Sequence, residues 1–300
     1  MSFKRQKAED TRKPYRDMRV AYLMLTPALL LISIFVILPL GMAVARSVQD
    51  YSTSGFVGLN NYLYILKTPS FLKSFGNVLL LTGAVVVLTM LFSFLFALLL
   101  RSLSNKLGYI ARACVFIPFF ISGITASIIF FMLTNYGGGL FTSIRIAMGK
   151  NPIAFAVEGI WPYVMIIGIT VWMSFGYQTL IMYAGVLQIP RSYYEAAQLD
   201  GANAFQQAIR ITLPNMKNYF VLICINMVTA NLQMFDVPFM ATGGGPMEKT
   251  LTPVMYLFNS FRDPGRPQNV TIAGALMVMI VIMTVNIIVF KLVRSEKSED

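Results

Sequence analysis

Few side chains in this 300-residue chain are of a type that performs chemistry. There is no histidine, and the two cysteines, Cys114 and Cys224, sit in separate apolar runs. A His/Cys zinc site, a Ser-His-Asp triad and a disulfide scaffold are therefore excluded. Thirteen carboxylates remain, but no two share a face within any apolar segment, so a general acid–base pair has no seat there. The nearest approach to a G-x-x-x-x-G-K-[ST] phosphate loop is Gly149-Lys150. It has Ile144 where the first glycine belongs and Asn151 in place of Ser or Thr. What is left is uncharged polarity at helical spacing. Met227, Asn231 and Met234 fall at i, i+4 and i+7, and Thr170, Ser174, Tyr177 and Gln178 share one face of another segment. Amides, hydroxyls and an aromatic ring suit a neutral, polyhydroxylated molecule. The same residues also read as interhelical hydrogen-bonding partners, worth about 0.6 kcal/mol each in membranes.

The elements that must carry these residues are set by composition. Apolar residues make up 56% of the chain and charged residues 12%, with a mean hydropathy of +0.66. So little polar surface cannot cover a protein in water, so lipid is the solvent for much of it. Six segments are long enough to cross a bilayer, at 21–45, 77–100, 110–134, 160–187, 218–241 and 271–293. Pro27 and Pro39 in the first and Pro118 in the third are tolerable in membrane helices. Small residues at i, i+4 in the third, Gly123 with Ser127 and Ser122 with Ala126, suit close helix contact. The sequence Ala43-Val44-Ala45 resembles a signal-cleavage site. The apolar run before it, about 23 residues, exceeds the 7–15 of a signal peptide, so an uncleaved first helix is expected.

Basic residues set the orientation. With the N-terminus inside, inner segments carry seven (1–20), three (Arg101, Lys106, Arg112), three (Arg191, Arg210, Lys217) and three (Lys291, Arg294, Lys297). Outer segments carry eight of the 24, a two-to-one bias that places both termini in the cytoplasm. This distribution explains the net charge of +11 without nucleic acid, because charge at membrane borders is what topology requires. Within the spans, Arg112 and Lys291 sit at ends, and Asp236 lies about one and a half turns from the outer end of the fifth. Ion-coupled carriers hold their coupling charge near mid-membrane. None is present, so any active transport takes its energy from another chain.

The polar stretch 188–217 reads as a helix–Gly–helix hairpin. Ser192 with Glu195 forms a capping-box pattern ahead of a helix over Tyr193–Leu199, and Gly201 is placed to end it left-handed. Asn203 with Gln206 can cap a second helix to Leu213, where Pro214 marks a break or kink. At these residues the chain resembles the EAA loop of bacterial ABC importer permeases. Glu195-Ala196-Ala197, Gly201 and Ile211-x-Leu213-Pro214 match EAA-x3-G-x9-I-x-LP throughout. Gly58-Leu59-Asn60-Asn61-Tyr62 is similar to the G-L-x-N-Y of the carbohydrate-importer (maltose/glycerol-phosphate-type) branch. Thr242-Gly243-Gly244-Gly245-Pro246 with Thr250 is similar to its T-x-GGP-x3-T.

The resemblance implies an all-α, six-helix type-1 (MetI-like) permease of the bacterial inner membrane. Its parts would be a basic cytoplasmic tail (1–20), a first helix with an external loop (21–74), a permease core (75–293) containing the 188–217 loop, and a tail (294–300). It implies a transporter subunit rather than an enzyme, with no cofactor of its own, ATP and Mg being bound by partner subunits. The implied partners are a second homologous permease, two ATP-binding-cassette ATPases, an extracytoplasmic solute-binding protein, membrane lipid and a mono- or oligosaccharide. It makes Glu195, Ala196, Ala197, Gly201, Ile211, Leu213 and Pro214 the ATPase-coupling residues. By position it makes Thr170, Ser174, Tyr177, Met227, Asn231 and Met234 the substrate pathway, although the partner permease binding the sugar alone is also open. The rival readings are an ABC permease for an amino acid, polyamine or phosphate, and a membrane-embedded enzyme. Charged solutes would favour counter-charges in the spans, and an enzyme needs the paired carboxylates that the spans lack.

Overall fold

The structure, a computed structural model, describes residues 13–295; the expected tails at 1–20 and 294–300 lie partly outside the described residues. Among these, helices account for the regular structure, with one isolated bridge between Gln49 and Phe56. Four helices are long and apolar enough to cross a membrane: Val20–Ser47, Pro69–Ser102, Trp161–Gln188 and Gln268–Lys291. They correspond to the first, second, fourth and sixth expected spans.

The third and fifth are not single straight helices. Lys106–Phe120 and Gly123–Thr134 meet at 99°, and Lys217–Leu232 and Asp236–Thr242 at 51°. The reason in the third is local. Pro118 lies in a 3₁₀ turn, Ile121 is extended, and Ser122 begins a new helix by accepting a hydrogen bond from the Thr125 N–H.

Contacts divide the chain into two units. The first contains α1 (Lys13–Ile32), α2 (Leu38–Ser47), α3 (Asn60–Leu66) up to Ile65, and residues 265–276. Asn61, in the Gly-Leu-Asn-Asn-Tyr motif, donates from Nδ2 to the carbonyls of Ser47 (2.8 Å) and Gln49 (2.9 Å). Tyr62 Oη bonds Ser47 Oγ at 2.8 Å, and Asn269 Nδ2 donates to Gln49 O at 2.9 Å. The motif is thus a clasp that ties the loop back to the end of the first span. In the same loop the Thr53 N–H and hydroxyl and the Ser52 N–H hold the Asp50 carboxyl below its ordinary pKa.

The second unit holds α4 (Pro69–Ser102), α5 (Asn105–Phe116), α6 (Gly123–Thr134), α7 (Leu140–Ala147), α8 (Trp161–Gln188), α9 (Arg191–Leu199), α10 (Ala204–Gln207), α11 (Leu213–Asn215), α12 (Lys217–Leu232), α13 (Asp236–Thr242), α14 (Pro253–Arg262) and, from Met277, the rest of α15 (Gln268–Ser295). Its core joins Leu81 and Val85 of α4 to Ile166, Ile169 and Met182 of α8 and Ile223 of α12, each fully buried. Lipid is as apolar as these side chains, so close packing rather than water expulsion must hold the helices together. Glycines supply that closeness. A Cβ on Gly176 would lie 1.9 Å from the Val115 carbonyl oxygen, and one on Gly185 would lie 2.7 Å from the Tyr219 ring.

Two π-helical turns, Ser33–Ile37 and Ala208–Thr212, each end two residues before a proline, Pro39 and Pro214. Proline has no N–H and its ring crowds the carbonyl four residues back, and a widened turn relieves both problems. Pro214 therefore sits inside a helix that runs on to Asn215, and the chain breaks at Met216 (φ −96°, ψ 5°).

Candidate functional site

The first candidate is the hairpin between α8 and α12. Its opening helix begins at Arg191, ahead of the expected start. Pro190, with φ −56° and ψ 136°, occupies the N-cap, and no side chain caps it. Ser192 is therefore the second helical residue, and the expected Ser192–Glu195 capping box does not form. At the other end Gly201 adopts φ +79°. The Gly201 N–H donates to Gln198 O (3.0 Å) and the Ala202 N–H to Ala197 O (2.8 Å). These are the two bonds of a Schellman terminus, and they satisfy carbonyls the helix would otherwise orphan. The second cap is as expected. Asn203 Oδ1 accepts from the Gln206 N–H (2.9 Å), while Gln206 Oε1 accepts from the Asn203 N–H (2.8 Å).

One face of the hairpin is anchored. Tyr194 is 5% exposed, its hydroxyl bonds Thr212 Oγ1 at 2.9 Å, and the Arg101 guanidinium carbon lies 3.4 Å from its ring centroid. Ile211 packs on the core. Other residues of the hairpin are open to the surface: Glu195, Ala196, Leu213 and Pro214 are exposed, Leu199 is 91% exposed, and Phe205, 72% exposed, lines a cavity shared with Tyr194 and Arg101.

The second candidate is a cavity of about 460 Å³ at the helix breaks. Thr170, Met173 and Ser174 of α8 form one wall. Asn231 of α12, the link Gln233–Phe235 and Asp236 at the start of α13 form another, and Phe119 and Gly123 close it from the break between α5 and α6. Of the six expected pathway residues, Thr170, Ser174, Asn231 and Met234 line this cavity. Tyr177 lies one turn beyond Ser174 and stacks on Phe119, with centroids 4.7 Å apart and ring planes 14° apart. Met227 does not face the cavity. It is 3% exposed in the core, and its carbonyl receives the Asn231 Nδ2 donation at 2.8 Å, which leaves Asn231 Oδ1 as an acceptor. Gln178 is buried elsewhere in α8, its Oε1 without a partner.

The cavity wall is mainly apolar, with hydroxyl and amide groups from Thr170, Ser174, Asn231 and Gln233 set into it and a single ionisable side chain, Asp236. Hydroxyl, amide and carboxylate groups beside an aromatic face can bind alcohols, whose C–H faces pack on rings and whose O–H groups donate to acceptors. Among the described residues no group of three or more His, Cys, Asp or Glu comes together to hold a metal. Phe119 and Gln233 escaped sequence reasoning, and Asp236 was noted only as a charge near the outer end of the fifth span, because a continuous third and fifth span buries or scatters them. The signals were present: Pro118 followed by Ser122-Gly123 reads as a stop and a new start.

The Gly-rich segment forms a third built feature. Gly243 and Gly244 have φ +60° and +79°, and Thr242 Oγ1 bonds Thr250 Oγ1 at 2.7 Å. Thr250 Oγ1 donates to Gly245 O at 2.8 Å, so the two threonines of the motif close the loop.

Comparison with known proteins agrees with this architecture. The sequence pattern of the family described as "Binding-protein-dependent transport system inner membrane component" matches residues 90–297, more than half of the chain. The trehalose/maltose transport system permease protein MalF of Thermococcus litoralis is 32% identical over 251 residues, covering 82% of this chain and 85% of the relative. The sulfoquinovosyl glycerol transport system permease protein SmoG of Agrobacterium fabrum is 31% identical over 288 residues, covering 93% and 92%. Among solved structures, a chain of a bacterial ABC transporter that imports the acidic polysaccharide alginate shares the fold. Its TM-score is 0.81 at 20% identity, over 94% of this chain and 98% of that one.

Proposed function

The chain belongs to the family of binding-protein-dependent transport system inner-membrane components, and on that premise we propose that it is one of two permease subunits of an ABC importer for a neutral mono- or oligosaccharide. It is a multi-pass transporter subunit and not an enzyme. In this reading it pairs with a second permease, two ATPase subunits and an extracytoplasmic solute-binding protein. Both termini and the 188–217 hairpin face the cytoplasm, with a permease core over 75–293.

The observation that carries the sugar reading is the convergence of Thr170, Ser174, Asn231 and Met234 on one cavity beside the Phe119–Tyr177 stack. Its lining contains no lysine or arginine to hold an anion, so a neutral polyol suits it better than a phosphorylated or acidic sugar. Support for a saccharide, though not for its neutrality, also comes from the named relatives, permeases for trehalose/maltose and for the sulfonated sugar sulfoquinovosyl glycerol.

The hairpin supports the energy source. Leu199, 91% exposed on a short, capped element, is an apolar side chain that water disfavours and a partner would cover. Glu195 on the same helix supplies a charge to orient that partner. ATP-driven closure of the two ATPases would move the hairpins as rigid bodies and open the cavity to each side in turn, with the sugar held by hydrogen bonds that water can replace. The test is purification in mild detergent, identification of co-purifying chains, and uptake of labelled maltose against labelled glucuronate in proteoliposomes. ATPase co-purification and ATP-dependent maltose uptake are expected. A chain that purifies without any ATPase would overturn the reading, and uptake confined to the acidic sugar would overturn its substrate half.

A further inference from the structure

We infer that α4 is the strut that carries movement of the hairpin to the far side of the membrane, and that Arg101 and Asn77 are its positioning residues, one at each end. The inference rests on the transport reading above. The strut is longer than any other described α-helix: 34 residues without an interior proline or a break, Pro69 lying in its first turn, against 28 in α8 and α15. At 1.5 Å per residue it is about 51 Å long, enough to pass through a bilayer and project on both sides.

At one end, Arg101 in the last turn places its guanidinium on the Tyr194 ring, one residue from Glu195. Beside this contact lies a cavity of about 490 Å³, lined by Phe94 and Leu98 of α4 and by Gln198 and Thr212 of the hairpin. The cation–π contact thus lies at the margin of that cavity, where Tyr194, 5% exposed, joins the same buried core as Ala97 of α4. Tyr194 is fixed in turn by its bond to Thr212, so a displaced α9 pulls on Arg101 through a rigid ring.

At the other end, three side chains of the first turns grip the Gly-rich loop. Ser70 Oγ donates to Glu248 Oε1 (2.8 Å), Lys73 Nζ to Met247 O (2.6 Å), and Asn77 Nδ2 to the carbonyls of Glu248 (2.7 Å) and Leu251 (2.9 Å). Met247 and Glu248 are held at φ +50° and +61°, a conformation that non-glycine residues keep only when surroundings enforce it. Asn77, 9% exposed, supplies two of those bonds. Between the ends, Ser93 Oγ donates to Phe175 O at 2.9 Å, next to cavity-lining Ser174.

A single unbroken helix therefore touches the hairpin, a neighbour of the cavity wall and a strained loop at the far end. The helix that leaves the hairpin, α12, cannot carry an axial movement so far, because it breaks at 233–235. Coupling needs rigid elements in contact, and α4 provides one.

The test uses the intact complex with its ATPases, reconstituted with the solute-binding protein, comparing R101A, R101K, N77A and the double variant R101A/N77A. The readouts are the stimulation of ATP hydrolysis by the loaded binding protein and uptake. R101A and N77A are each expected to lower stimulation about tenfold with assembly and basal hydrolysis retained. R101K, which keeps a cation on the ring, is expected to recover most of it. The double variant should be no worse than either single one, because both act on one path. Losses that multiply, or normal stimulation in N77A, would overturn the strut. Should R101A fail to assemble, N77A at the opposite end decides alone. A wild-type complex without ATPase or uptake would instead sink the transport reading, before any variant is compared.

Discussion

The hairpin and the cavity are both places where helices stop, yet they are finished in opposite ways. In the hairpin the turn from one helix to the next is closed. Gly201 completes a Schellman terminus, Asn203 and Gln206 cap each other, and Tyr194 is buried between Arg101 and Thr212. At the cavity the breaks are left open. Gln233 and Asp236 are exposed, and the backbone leaves helical geometry at Phe235 (φ −133°, ψ −56°). Irregular backbone is tolerated at membrane depth where it lines a cavity or is buried in protein. A closed end moves as a body and delivers force; an open one presents groups that a solute can satisfy. Changes to the hairpin should therefore stop transport outright, whereas changes to the cavity should alter what is transported.

The largest effects are expected in the hairpin. Gly201→Val forces a β-branched residue into the left-handed region, costing on the order of 1–2 kcal/mol, and uptake should be lost although the protein inserts normally. No other atom lies within 4 Å of a Cβ there, so the effect is conformational, and Gly201→Asn should retain most activity. Glu195→Lys reverses the charge on the exposed face and should also abolish uptake; wild-type uptake in both Gly201→Val and Glu195→Lys would end the distinction drawn above.

Next comes the seam beside the cavity. Gly176→Ala would drive a methyl into the Val115 carbonyl, separating α5 from α8 at a cost of about 1–3 kcal/mol. Thermal unfolding in detergent should show a lowered midpoint, and an unchanged midpoint would mean that α5 yields freely. Smaller still are the cavity variants. Asn231→Ala and Tyr177→Ala should each shift the preference between competing sugars several-fold, about 1 kcal/mol for one hydrogen bond or ring contact, with assembly and basal ATP hydrolysis intact. Loss of assembly in both would mark them as packing residues.

The mildest substitutions test which side each region faces and should leave uptake unaltered. In a background lacking Cys114 and Cys224, Ser54→Cys and Gln268→Cys should react with an impermeant thiol reagent in intact cells. Ser192→Cys should react only after permeabilisation. Labelling of the Ser192 position from outside would invert the proposed topology.

Legibility in the sequence followed the range of the forces involved. Gly201 and the Asn203–Gln206 box act within four residues, so spacing alone located them. Ser192 was misplaced because Pro190, fixed at φ −56°, starts the helix two residues earlier and draws the serine inside it. The first, second, fourth and sixth spans follow from apolar length. The bend at Phe120–Gly123 was missed because hydropathy does not register Pro118 or the Ser122 cap, and both halves remain apolar enough for lipid. Four of the six pathway residues meet at the cavity because α8 and α12 keep their helical periodicity. Met227 points into the core instead, since only the angle between helices decides which residue of a face looks inward.

The sequence by itself determined the solvent, the apolar segments, and the Gly201 and Asn203–Gln206 helix ends of the hairpin. Each depends on composition or on bonds between near neighbours. The tertiary structure alone decided that Phe119 stacks on Tyr177, that Arg101 lies over the Tyr194 ring, and that Asn77 holds a loop more than 170 residues away. Those contacts join helices in a solvent as apolar as their own side chains. There, pairing is set by shape and by the few places where glycine lets backbones approach, and neither is written in any one segment.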